Sequence, residues 1–219
     1  MTTKPVPKIK IAMLASGQGT NVANFIEHFK LHEVLEVALI VSNNPDAPVL
    51  KRAANSKIPH IVIRKDEWKK KEHVLGIFKQ NEIDFIVLAG FLLLLPEYLI
   101  EEFPKRIVNI HPALLPKYGG KGMYGMRVHR QVITNNEKQS GITIHHVNEK
   151  YDEGKMLFQQ KIKVSPGETP ESLASKIQLL EYEHYPRVVE TLILKEVLNL
   201  PKKSTESTFS NLNPFKFSS

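Results

Sequence analysis

Lys8-Ile9-Lys10-Ile11-Ala12-Met13-Leu14-Ala15-Ser16-Gly17-Gln18-Gly19-Thr20-Asn21 is the stretch that decides the fold. An apolar run of strand length ends in a glycine turn, and an amphipathic stretch from Thr20 to Lys30 follows. That order reads as strand, tight turn and helix. The same alternation recurs down the chain, the pattern of a mostly parallel sheet with crossover helices. Further strands are expected at Val37 to Ser42, Ile58 to Ile63, Asp84 to Leu88 and Arg106 to Ile110. Helices are expected over Ala47 to Ser56, from a cap at Asp66 to Gln80, over Glu97 to Phe103 and over Val128 to Asn135.

From Gly141 the period changes. Gly141 to Val147 and Met156 to Val164 read as consecutive strands joined by a turn at Tyr151 to Lys155, an antiparallel edge pair. Thr169 or Pro170 opens a long last helix that runs to Leu198. The expected fold class is α/β: a doubly wound, mostly parallel sheet with an antiparallel C-terminal edge and a long last helix. Residues 1–200 read as one domain. After Pro201 the composition turns to Ser, Thr, Asn and Lys with isolated Phe209, Phe215 and Phe217, and 201–219 read as a flexible tail.

Composition narrows the function classes. A chain of 219 residues, 42% hydrophobic, suits one domain with a sizeable core. It has no cysteine, which excludes disulfides, thiolate metal sites and cysteine catalysis and fits a reducing cytosol. No apolar run approaches the ~20 residues that span a bilayer. Met1 to Lys8 has no apolar signal region behind it, so a soluble cytoplasmic protein is expected. The formal charge of +7 reads as scattered surface lysines or as a positive field for an anionic ligand. No nucleic-acid module appears.

Three motifs carry chemistry. Gly17-Gln18-Gly19-Thr20-Asn21, between strand and helix, offers backbone N–H groups, two polar side chains and a helix N-terminus to a phosphomonoester. It reads equally as a βα turn with no ligand. It lacks the P-loop lysine and the third glycine of the dinucleotide fingerprint. In Asn109-Ile110-His111-Pro112, strand alternation puts the amide and the imidazole on one face at a strand's carboxyl end. That pair suits an oxyanion and proton delivery to a departing nitrogen. In Gly141-Ile142-Thr143-Ile144-His145, Thr143 and His145 share a face, and Asp152-Glu153-Gly154 follows in a loop. A carboxylate near His111 would raise its pKa, although spacing does not show that Asp152 meets it. The histidines are dispersed, so no metal is expected.

Together these stretches, with Val41-Ser42-Asn43, Leu88-Ala89-Gly90-Phe91 and Ala113-Leu114-Leu115-Pro116-Lys117-Tyr118, resemble the phosphoribosylglycinamide formyltransferase family across Lys8 to Glu190. The resemblance implies a Rossmann-like formyltransferase fold. It implies transfer of the formyl group of 10-formyltetrahydrofolate to the amine of glycinamide ribonucleotide in purine synthesis. It further implies a catalytic trio of Asn109, His111 and Asp152, with His145 supporting. Gly19, Thr20, Asn21 and Glu181 would hold the phosphate and ribose; Leu92, Leu93, Leu94 and Leu95, with Asn109, would hold the folate. The partners implied are these small molecules, and the state a monomer or homodimer. The glycine-rich loop 119–126 reads as a segment that closes over substrate. Lys69, Lys70 and Lys71 stand where the family often has an arginine. Two alternatives remain: a formyltetrahydrofolate deformylase, and a non-enzymatic nucleotide- or phosphate-binding protein. Transfer to tRNA would need a further domain of about 100 residues and is not expected.

Overall fold

A computed structural model describes residues 8–196. The strands are β1 (Ile9–Leu14), β2 (Leu35–Ser42), β3 (His60–Val62), β4 (Phe85–Leu88), β5 (Ile107–His111), β6 (Gln139–His146) and β7 (Met156–Lys163). They form one seven-stranded sheet in the order β3-β2-β1-β4-β5-β6-β7. β1 to β5 pair in parallel, whereas β6 lies antiparallel to β5 and β7 antiparallel to β6. The expected α/β class and its antiparallel edge are what the structure has. The tail 201–219, with Phe209, Phe215 and Phe217, and the expected helix end at Leu198 lie outside the described residues.

The helices are α1 (Thr20–Phe29), α2 (Pro48–Asn55), α3 (Lys71–Gln80), α4 (Glu97–Glu102), α5 (Met126–Thr134) and α6 (Pro170–Glu196). Successive residues of a strand point to opposite faces, and β1 divides the core accordingly. Ile11 and Met13 join Phe25 of α1 and Tyr185 of α6, while Ala12 and Leu14 join Val74 and Phe78 of α3 and Leu99 of α4. Strand order reverses at β1, which has β2 on one side and β4 on the other. Ligands of open α/β sheets bind beyond the strand ends at such a point.

One helix differs from expectation. Asp66 makes no capping bond, and the segment splits into a 3₁₀ turn over Glu67–Lys69 and α3, with Lys70 between them at φ −90°, ψ 78°. The cause is Trp68, which is buried, donates Nε1–H to Ile63 O at 2.9 Å and packs edge-on against Phe91. A continuous helix from Asp66 would break that placement.

The long helix α6 contains Pro186. Proline has no N–H, so the carbonyl four residues earlier loses its helical donor. That carbonyl, Tyr182 O, instead accepts from Asn24 Nδ2 of α1 at 2.9 Å. One turn on, the buried Tyr185 hydroxyl donates to Leu88 O at the end of β4 at 2.8 Å. α6 is therefore registered against both α1 and the strand ends. Tyr185→Phe is expected to destabilise the protein by about 1 kcal/mol, the net contribution of one buried hydrogen bond. Urea denaturation checks this, and an unchanged midpoint would remove the hydroxyl from that role.

Candidate active site

A cleft of about 640 Å³ opens along the carboxyl ends of β1, β4 and β5. At one end lies the glycine turn, Gly17 to Asn21. Gly19 precedes α1 with φ +66°, and a Cβ there would sit 2.3 Å from Val49 Cγ2, so both backbone and space require glycine. The first N–H groups of α1 have no carbonyl one turn back, which leaves them for a ligand. Arg52 braces the turn from outside, its Nε donating to Gln18 O at 2.7 Å. Asn21 Nδ2 donates to Glu181 Oε2 at 2.7 Å, while Asn21 Oδ1 is buried without a partner. Burial pushes the Glu181 carboxyl up to about 7, although the Asn21 bond pulls it down.

The centre of the cleft is built by β5 and β6. Their antiparallel register sets Asn109 opposite His145 and His111 opposite Thr143. Asn109 Nδ2 lies 3.2 Å from His145 Nε2 and 3.5 Å from Asp152 Oδ1. His111 Nδ1 lies 3.5 Å from Asp152 Oδ2, and His145 Nε2 lies 3.6 Å from Asp152 Oδ1. Gly120 N–H donates to Asp152 Oδ2 at 2.9 Å. Gly154 permits this loop, because a Cβ there would sit 1.7 Å from His146 O. Thr143 Oγ accepts from Leu115 N and donates to Ala113 O, which fixes the chain just after His111.

Carbonyl oxygens only accept, so they assign the imidazole protons. His145 Nδ1 is 2.8 Å from His146 O and carries a hydrogen, which leaves Nε2 to accept from Asn109. His111 Nε2 is 2.7 Å from Tyr118 O and carries a hydrogen, so Nδ1 is the atom that gains or loses a proton. Burial lowers the His111 pKa, and this outweighs the upward pulls of Asp152 and the Tyr118 carbonyl. The upward pull expected of a nearby carboxylate is present, but desolvation of a deeply buried ring is larger and the net shift is downward. Burial would raise Asp152, yet the neighbouring His145 and His111 rings and the Gly120 N–H hold it below the ordinary carboxylate value.

The other end of the cleft is apolar, lined by Leu92, Leu93, Leu94 and Leu95, with Leu92 and Leu94 partly exposed. The loop after His111 forms a wall through Gly120, Gly122, Met123 and Tyr124. Every candidate residue from the sequence therefore lines this one cleft: Gly19, Thr20, Asn21, the four leucines, Asn109, His111, His145, Asp152 and Glu181. Lys69, Lys70 and Lys71 are not brought to it, and the stretch between β3 and α3 also contains Arg64, exposed and likewise outside the lining.

Three contributors escaped the sequence. The Tyr118 carbonyl and the Gly120 N–H act through backbone, which residue type does not reveal. His129 of α5 lines the cleft at 5% exposure, its Nδ1 unpartnered and its pKa lowered by burial and by His111. A lone histidine in a helix gives no signal that it reaches a strand end.

Residues 9–189 match the family described as Formyl transferase. The chain is similar to the chloroplastic phosphoribosylglycinamide formyltransferase of Arabidopsis thaliana, 39% identical over 82% of this chain and 64% of the relative. It therefore spans about two-thirds of that plant protein, 64% of its length. It is 33% identical to the phosphoribosylglycinamide formyltransferase of Haemophilus influenzae, over 83% of this chain and 85% of the relative. The crystal structure of phosphoribosylglycinamide formyltransferase from Bacillus halodurans superposes with a TM-score of 0.76 at 34% identity, covering 87% of this chain and 98% of that one.

Glu181 provides a pH test. Its folded-state pKa of about 7 exceeds the ordinary 4.5, so the folded protein holds this proton more tightly. The stability it contributes is full below the unfolded value and is lost as pH rises through the folded one. Glu181→Gln should therefore gain stability relative to wild type as pH rises from about 4.5 to about 7, and the difference should level off above. Denaturation midpoints check this, and a constant difference would contradict it.

Proposed function

The chain belongs to the formyl transferase family, and from that premise we propose that it transfers the formyl group of 10-formyltetrahydrofolate to the amine of glycinamide ribonucleotide. The observation that carries this reading is the convergence of Asn109, His111, His145 and Asp152 between a backbone-rich anion cradle and an apolar wall in one cleft. A phosphorylated amine suits the first end, and the flat ring of a reduced folate suits the second.

In this reading the acceptor amine attacks the formyl carbon and the carbonyl electrons move onto oxygen. Asn109 has two amide hydrogens. One is engaged with His145 at 3.2 Å; the other faces Asp152 at 3.5 Å, too far for a strong bond. That second hydrogen is available to the oxyanion. His111 Nδ1, neutral in the free protein, takes the proton released by the attacking amine. As an imidazolium beside Asp152 it stabilises the intermediate, then returns the proton to the departing folate nitrogen. Asp152, held ionised, opposes the His111 desolvation and stabilises the charged form once it has formed.

At the anion end, Thr20 and Asn21 with the α1 N–H groups would take the phosphate, and Glu181 the ribose hydroxyls. Residues 1–200 would act as one catalytic unit, with both ligand ends in a single cleft. The cysteine-free sequence suits a reducing compartment. Cytoplasm meets that condition, as does the plastid named for the Arabidopsis relative.

Loss of the formyl donor, followed by folate absorbance, should depend on added glycinamide ribonucleotide. Equal loss without acceptor would overturn the proposal in favour of a deformylase. His111→Ala and Asp152→Asn should each lower kcat by at least about 100-fold while the protein stays folded, the contribution of a positioned general acid–base group. Indifference would favour a binding protein. Gly19→Val should raise KM for the ribonucleotide more than KM for the folate, because the side chain displaces the cradle and not the leucine wall.

A further inference from the structure

The residue that fixes the His111 proton is itself held in an unusual way. Tyr118 supplies the carbonyl that accepts from His111 Nε2 at 2.7 Å, and its backbone is left-handed, φ +60°. Asp152, on the other side of the imidazole, is also left-handed, φ +58°. A tyrosine adopts that region only where its surroundings impose it, whereas an aspartate enters it more readily. At Tyr118 the imposing contacts are visible. Its hydroxyl donates to Glu137 Oε1 at 2.9 Å and accepts from Asn135 Nδ2 at 3.0 Å. Lys117 Nζ donates to the same Glu137 oxygen at 2.8 Å. Both anchors lie just beyond α5, outside the cleft. The short segment from Tyr118 to Gly120 also delivers the N–H that holds Asp152. One pinned stretch of backbone thus positions both members of the His111–Asp152 pair.

We propose that Tyr118 is a positioning residue for the transfer step: its phenol, pinned by Glu137 and Asn135, holds the carbonyl that keeps His111 protonated on Nε2 and directs Nδ1 to the reacting centre. This rests on the formyl-transfer reading. The groups facing His111 are Asp152 from the β6–β7 loop, His145 from β6 and His129 from α5, and none of them touches the Tyr118 phenol.

The test compares wild type, Tyr118→Phe, Glu137→Ala and Glu137→Gln, all checked for folding by thermal denaturation. Tyr118→Phe and Glu137→Ala should lower kcat roughly tenfold, a fraction of what a general acid–base group contributes. They should leave both KM values within about twofold and shift the acid limb of the kcat–pH profile. Glu137→Gln keeps an acceptor for the phenol and should stay near wild type. Imidazole ¹⁵N shifts in wild type should report His111 as the Nε2–H tautomer, with a larger Nδ1–H share in Tyr118→Phe. The proposal is overturned by unchanged kcat and pH profile, by a loss confined to KM, or by an Nδ1–H tautomer in wild type. If wild type transfers no formyl group, the functional reading fails, and the ¹⁵N comparison alone decides the Tyr118 clamp. If Tyr118→Phe does not fold, Glu137→Ala and the wild-type spectrum carry the decision.

Discussion

A buried carboxylate must be partnered or it does not stay charged. Asp152 accepts one short bond, from the Gly120 N–H at 2.9 Å, and lies within 3.6 Å of the Asn109 amide and of the His111 and His145 rings; these groups come from β5, β6 and the loop after β5. The close fit around it follows. The β6–β7 loop passes so near His146 that position 154 admits only glycine, and the chain after His111 is tied down by Thr143. Moving the loop after β5 would cost Asp152 the Gly120 N–H.

The glycine-turn end is built on different terms. Among the described residues that line the cleft, Lys150 is the one lysine or arginine, and it pairs with Glu153 at 3.2 Å. An anion at this end would meet the oriented N–H groups at the start of α1. The net charge of +7 belongs to the whole sequence, whereas one lysine lines the cleft among the described residues. Arg52 contributes by holding the Gln18 carbonyl, which shapes the turn.

α6 links α1 to the end of β4. Pro186 removes one helical hydrogen bond, and Asn24 of α1 fills the vacancy; Asn21 and Glu181 meet one turn away. A proline that would weaken an isolated helix here ties α6 to α1, the helix that follows the glycine turn. The raised Glu181 carboxyl is a consequence of that closeness, since the same packing that positions it also excludes water from it.

Periodicity and turn chemistry made the α/β class, the strand order of events along the chain and the antiparallel edge legible, because a buried strand, a glycine turn and an amphipathic helix each impose a local pattern. The candidate residues were legible through local motif and family resemblance, and all of them line one cleft. Local pattern could not show that Trp68 would break the helix expected from Asp66, since a tertiary contact outweighs a capping preference there. Nor could it place Asp152 against His111, fix the imidazole tautomers, or show that desolvation outweighs the carboxylate in setting the His111 pKa. Those follow from strand register, from backbone carbonyls and N–H groups that every residue carries alike, and from burial, which exists only once distant segments have packed.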